Sequence, residues 1–350
     1  MQKCGKRLTA LLLGVSILVG MVLCTGCGGK EGDNHKVETT KSDTIQIGFS
    51  MDSFLIERWQ RDRDLFVSKA QELGAEVNIQ NANGDVKEQI SQIEYFIEKK
   101  VDVIVIVAID ADALTDVVAK AKRENIKIIA YDRLIRNAGV DLYISFDNEK
   151  VGALMADYLL RAVGNNGTII RINGSPTDNN VKMVSTGFEN VLSGTNVRID
   201  KEVYADGWLA ETGFTATNEY LITGKVPMGI MCGNDGIAAQ AIKALAENRL
   251  AGKVFVVGQD ADLDACQRIV EGTQSMTVYK PVENLAQKAA EEAVSMAKGE
   301  LLDTEDTIFD GTYDVPYEKL EPIAVTKENM DEVIIGKFHQ KDEVYLNVQD

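Results

Sequence analysis

The chain has 350 residues, 45% apolar and 26% charged, a composition that fits a folded soluble protein long enough for two domains. Its formal charge is −17, from 54 acidic against 37 basic residues, which argues against nucleic acid and against adhesion to anionic lipid headgroups.

The first 26 residues stand apart. Lys3, Lys6 and Arg7 form a basic start, and the apolar run 8–23 has the length of a secretory signal core rather than of a membrane span. It ends in LCTGC, with small Thr25 and Gly26 before Cys27, whereas bulky Val22 and Leu23 precede Cys24. This resembles the lipobox of bacterial lipoproteins. It implies cleavage after residue 26 and lipidation of Cys27, two acyl chains being enough for stable anchoring; a plain cleaved signal is the alternative. Cleavage removes three basic residues and no acid, taking the charge from −17 to about −20. Cys4 and Cys24 leave with the signal, so Cys232 and Cys266 remain; they fall in a predicted strand end and a predicted helix and read as separate buried thiols. Residues 27–43 are polar and aperiodic, a flexible tether.

From residue 44 onward strands and helices alternate. Apolar runs predict strands at 45–49, 75–79, 101–108, 126–131 and 142–146, with amphipathic helices at about 56–73, 86–99 and 112–124 between the first four. The run VDVIVIVA is apolar throughout, as in a strand covered on both faces. The pattern restarts with a helix at 148–163 and a strand at 168–172. Strands follow near 197–204, 226–232, 253–257 and 275–279, with helices at 235–249 and 262–271 among them. Two such arrays in series predict an α/β protein with two Rossmann-like parallel-sheet lobes.

Ligands of parallel sheets bind outside the carboxyl ends of the strands. Several predicted strands end in polar clusters there: Arg58 and Trp59; Asp132 and Arg133; Asp178, Asn179 and Asn180; Asn234 and Asp235; Gln259, Asp260 and Asp262; Lys280; with Trp208 in YADGW. Sugar hydroxyls both donate and accept, so they suit Asp, Asn, Arg and Lys, and the C–H face of a pyranose suits an indole. Each residue also has a plainer explanation. Asp178 and Asp235 fit helix N-caps, and the run Glu57 to Asp64 fits a solvated helix face with ion pairs. Repetition in both arrays favours a site that the two lobes share.

Enzymatic chemistry finds no support. No Ser elbow or Cys–His pairing is present, and His35 and His339 lie in the tether and near the C-terminus. Asp260, Asp262, Asp264 and Glu271 have the spacing of a calcium loop, but Ala265 replaces the glycine its sharp turn needs, so no metal is expected. No dinucleotide or phosphate-loop glycine pattern follows the first strand, and no cofactor is expected.

The stretches ERWQRDRDLFV, AYDR, YISFDNEKVG, GSPTDNN, DGW, GQDADL and GTQSMTVYKP resemble the sugar-binding proteins of bacterial ABC importers of the ribose/galactose type, over about residues 44–340. The resemblance implies a type I periplasmic binding protein with a three-segment hinge near 146–147, 280–281 and 311–313. The N-terminal lobe would be 44–146 plus 281–312, and the C-terminal lobe 147–280 plus 313–347. It further implies sugar contacts from Arg58, Asp132, Arg133, Asn179, Trp208, Asn234, Asp260 and Lys280, with Trp59 and Phe146 adding aromatic packing. Gly233 departs from the family, which carries a Ser there. D-xylose is the implied ligand, with ribose, arabinose or glucose as alternatives. An ABC permease with its ATPase subunit is the implied partner, a sensor kinase the alternative, at the extracytoplasmic face of the cell membrane. A LacI-type repressor shares the fold but would need an N-terminal helix-turn-helix, the reverse of the signal found here.

Overall fold

The computed structural model describes residues 44–348 except Glu57 and Asp303. The signal peptide 1–26, the tether 27–43 and Cys27 lie outside the described residues.

The first βα array runs β1 (Ile45–Met51), α1 (Arg58–Glu72), β2 (Ala75–Asn81), α2 (Val86–Lys99), β3 (Val103–Ile106), α3 (Thr115–Arg123), β4 (Lys127–Tyr131) and β5 (Leu142–Phe146). The second runs α4 (Asn148–Val163), β6 (Thr168–Asn173), α5 (Asn179–Leu192), β7 (Arg198–Tyr204), a 3-10 turn at Asp206–Trp208, α6 (Glu211–Ile222), β8 (Gly229–Cys232), α7 (Asp235–Glu247), β9 (Phe255–Gln259), α8 (Leu263–Glu271) and β10 (Met276–Tyr279). Then come α9 (Val282–Lys298), β11 (Thr307–Phe309), β12 (Asp314–Leu320), β13 (Ile323–Val325), α10 (Met330–Val333) and α11 (Lys341–Val344). Short polar side chains start several helices: Asp85, Asp147, Asp178 and Asn234 each accept a backbone N–H from the first turn of α2, α4, α5 and α7.

Two sheets result, in the order β11-β12-β5-β4-β3-β1-β2 and β13-β10-β9-β8-β6-β7, parallel except where β11 and β13 join. Helices cover both faces, which explains the unbroken apolar run at β3, whose four residues are all buried. Helix α9 returns to the first lobe: Leu285, Ala286, Ala289 and Ala293 pack with Phe49 and Phe66. Cys232 and Cys266 are both buried and free, as expected.

The chain passes from one sheet to the other after β5 and returns after β10. The third passage differs. It falls between β12 and β13, at 321–322, not at 311–313. Residues 310–313 are instead the turn of the β11–β12 hairpin. The Asp310 carboxylate accepts from the N–H groups of Thr312, Tyr313, Ala138 and Gly139 at 2.8–3.0 Å, fastening that hairpin to the first lobe. Strand β12 lies parallel beside β5, with Tyr317 opposite Tyr143 and their rings stacked at 4.8 Å. Residues 313–320 therefore belong to the N-terminal lobe.

Candidate ligand-binding site

Arg58 opens α1 beyond β1, Asp132 and Arg133 follow β4, Gln259 ends β9 with Asp260 next to it, and Lys280 follows β10. All are strand-end positions, and all are buried. The first lobe lines a central cavity with Ile56, Arg58, Trp59, Asp132 and Arg133; the second faces them with Asn148, Asp178, Asn180, Trp208, Gln259 and Asp260, and Lys280 stands at a passage between the lobes. About 320 Å³ of space, open solvent at the mouth included, lies among these side chains.

Polar contacts knit this wall across the cleft. The Arg58 guanidinium is 3.0 Å from Asp132 Oδ2 and 3.8 Å from Asp260 Oδ1, and Lys280 Nζ is 2.7 Å from that same Asp260 oxygen. Arg133 joins Asp52 of its own lobe at 2.6 Å and Asp178 of the other at 2.8 Å. Asn180 Nδ2 donates to the Asp132 carbonyl at 2.9 Å and reaches its carboxylate at 3.2 Å. Behind the wall, Asp62 takes two bonds from Arg58 and one, at 2.6 Å, from the Tyr131 hydroxyl.

These neighbours set the charges. Burial pushes the Asp132 carboxyl up, but Arg58, Lys280 and Arg133 outweigh it and hold the group below the usual carboxylate range. Burial works against the Arg58 charge, yet Asp132 and Asp62 prevail and raise it well above its ordinary value. At Asp62 and Asp178 burial wins over the facing arginines, and both carboxyls are raised.

The backbone is strained at the same place. Asp132, Trp208 and Asp260 have φ of +62°, +60° and +102°, a region that L side chains rarely adopt and that costs on the order of 1–3 kcal/mol each. Surrounding bonds hold them there. Asp132 N–H donates to Ile144 O, and its carbonyl accepts from Ser145 Oγ as well as Asn180; Asp260 N–H donates to Val278 O. Two glycines make room for the Trp208 turn. A Cβ at Gly174 would sit 2.2 Å from the indole, and one at Gly233 would sit 2.5 Å from Gly174 N. Gly233 thus leaves no space for a side chain in this packing.

Among the described residues, buried wall atoms without a hydrogen-bond partner include Trp59 Nε1, Arg133 Nη2, Trp208 Nε1 and Gln259 Oε1. With three donors and one acceptor unmet beside aromatic rings, the cavity suits a neutral polyhydroxylated ring.

The structure sorts the expected site residues. Arg58, Trp59, Asp132, Arg133, Trp208, Asp260 and Lys280 meet on one wall. Asn179 does not; its neighbour Asn180 does, because Asp178 caps α5 and the second helical position, not the first, turns toward Asp132. Asn234 is not on that wall either: its Oδ1 accepts from Ile237 N–H and caps α7. Phe146 is a core residue with its ring 6.0 Å from the Arg58 guanidinium. Asp52, Asp62 and Asn148 join the site without having been singled out for it. Asp62 hid in the run read as a solvated face, although its i,i+4 spacing from Arg58 was the available signal.

Residues 47–301 match the family model described as a periplasmic binding protein domain. The chain belongs to the periplasmic binding protein family. A D-xylose-binding periplasmic protein from Haemophilus influenzae is 44% identical over 310 residues, 87% of this chain and 93% of that protein. One of the same description from Escherichia coli is 43% identical over 306 residues, 86% of this chain and 92% of its own. Among solved structures, an ABC transporter solute-binding protein from Clostridium phytofermentans with bound β-D-glucose superposes with a TM-score of 0.79 at 28% identity, covering 85% of this chain and 99% of that one. As a periplasmic binding protein with two facing lobes, the molecule is a solute-binding protein and not an enzyme.

Proposed function

We propose that the protein captures D-xylose, as the pyranose, between its lobes outside the cytoplasm and delivers it to an ABC permease driven by an ATPase subunit. The observation that carries this reading is the meeting of Arg58, Asp132 and Arg133 with Asp178, Asn180 and Asp260 across the cleft, in a chain 44% identical to a D-xylose-binding protein. Ring hydroxyls exchange bonds with charged groups already held in place, and the two indoles cover the C–H faces. Contacts to both lobes exist together only in the closed form, so the sugar favours closure by its differential affinity, and the closed form is what a permease would recognise. Calorimetric titration with xylose, ribose, arabinose and glucose tests this. Xylose should bind most tightly, because a missing or misplaced hydroxyl leaves a buried group unpaired at roughly 1–3 kcal/mol, about tenfold or more in affinity. Tight binding of another sugar with no heat from xylose would reassign the ligand.

The protein is further proposed to be held at the membrane by lipid on Cys27, on the strength of the LCTGC stretch. Cys27→Ala should move it from the membrane to the soluble fraction, and mass spectrometry of the wild type should find a diacylated N-terminal cysteine.

A further inference from the structure

We propose that the cleft contains a second saccharide subsite, so that the protein takes a xylose disaccharide as well as the free pentose. This rests on the sugar-binding reading above. Beside the central cavity lies a larger one, with about 780 Å³ of empty space, mouth included, against about 320 Å³. It too is built from both lobes, with Ser53, Leu55 and Asp110 on one side and Ser175, Thr177 and Asp206 on the other. Arg133 and Trp208 belong to the walls of both cavities.

Those two shared residues carry the inference. Arg133 is 3% exposed, yet among the described residues its Nη2 has no partner, and the buried Trp208 Nε1 has none either. Asp52 and Asp178 take the other guanidinium nitrogens, and the guanidinium carbon lies 5.8 Å from the Trp208 ring centre. A flat cation beside an indole, each with an unused donor, makes a partition that a sugar ring can approach from either side. Beyond it the wall is again polar, though of different make: hydroxyls at Ser53, Ser175 and Thr177, carboxylates at Asp110 and Asp206, and apolar Leu55 and Val86. Asp110 and Asp206 disfavour an anionic second unit such as a sugar phosphate, whereas a neutral ring offers donors to both. The space beside the partition has the volume for another pentose ring.

Calorimetry of the full mature protein with D-xylose and with xylobiose, alone and in competition, is the test. Xylobiose should give heat and displace xylose. The double variant Asp110→Ala/Asp206→Ala should weaken xylobiose by about tenfold or more while leaving xylose within about twofold, since neither residue lines the central cavity. Xylose binding without heat or displacement from xylobiose overturns the second subsite and leaves the pentose reading intact. Xylobiose binding that the double variant weakens no more than it weakens xylose overturns the assignment to this cavity. Binding of neither sugar defeats the proposed function and this inference with it.

Discussion

Asp132 shows how one residue can serve both fold and site. Its carbonyl ties β5 and α5 together through Ser145 and Asn180, while its carboxylate faces Arg58. Its left-handed φ turns the side chain out of the β4 direction, and that strain persists because four bonds fix the peptide on either side. Asn180 completes the arrangement from the other lobe, which separates it sharply from Asn179. Asn180→Ala should weaken sugar binding by about tenfold or more, since it leaves buried Asp132 acceptors short of a donor; Asn179→Ala should change affinity by less than about twofold. Titration calorimetry of the two variants side by side checks this. Equal losses would place the first helical position of α5 in the site after all.

At the scale of elements, the second sheet is pinned by Asp235, fully buried at the start of α7. Its carboxylate accepts from Thr277 Oγ1 and Gln274 Nε2, both at 2.7 Å, linking α7 to β10 and the turn before it. Burial is the main reason its carboxyl is pushed up to about 7. A native pKa above the unfolded value of 3.8 gives stability that is complete below about pH 4 and is lost as pH rises through about 7. Asp235→Asn removes that dependence. Urea unfolding midpoints should therefore fall between about pH 4 and pH 7 more steeply in the wild type than in the variant. Parallel slopes would show that Asp235 stays ionised in the native protein across this range. The same elements bury both cysteines, Cys232 at the end of β8 and Cys266 within α8, too deep to react readily.

For the whole molecule, closure depends on contacts that neither lobe can make alone. Arg133 with Asp178 is the most buried of them, with side chains 3% and 2% exposed. Thr177 adds bonds to Ile109 and Ala111, and Arg61 of α1 donates to Phe338 O in the C-terminal segment packed on the second lobe. Asp178→Asn removes the charge of one partner of a buried pair, although Arg133 keeps Asp52, so sugar affinity should fall by about tenfold or more. The ligand-induced drop in radius of gyration, followed by small-angle scattering, should need correspondingly more sugar. An unchanged scattering titration would show that this pair does not contribute to closing.

Much of this was legible in the chain as written. Two βα arrays, an unbroken apolar strand at β3, capped helices and polar strand ends are local patterns, set within a turn or two by side-chain periodicity and hydrogen bonding. Seven residues named from those patterns together with the family resemblance line one cavity. What folding alone decided were matters of partner and phase. Whether 313–320 would pair with β5 or leave for the second sheet depended on Tyr143, more than 170 residues away. Which of two adjacent asparagines faced Asp132 depended on the rotation of α5 against a different lobe. Asp62 became a buried anchor, and not part of a solvated face, because Tyr131 stood ready to bond it. Local sequence encodes the shape of each element, but only distant contacts choose which of its faces is used.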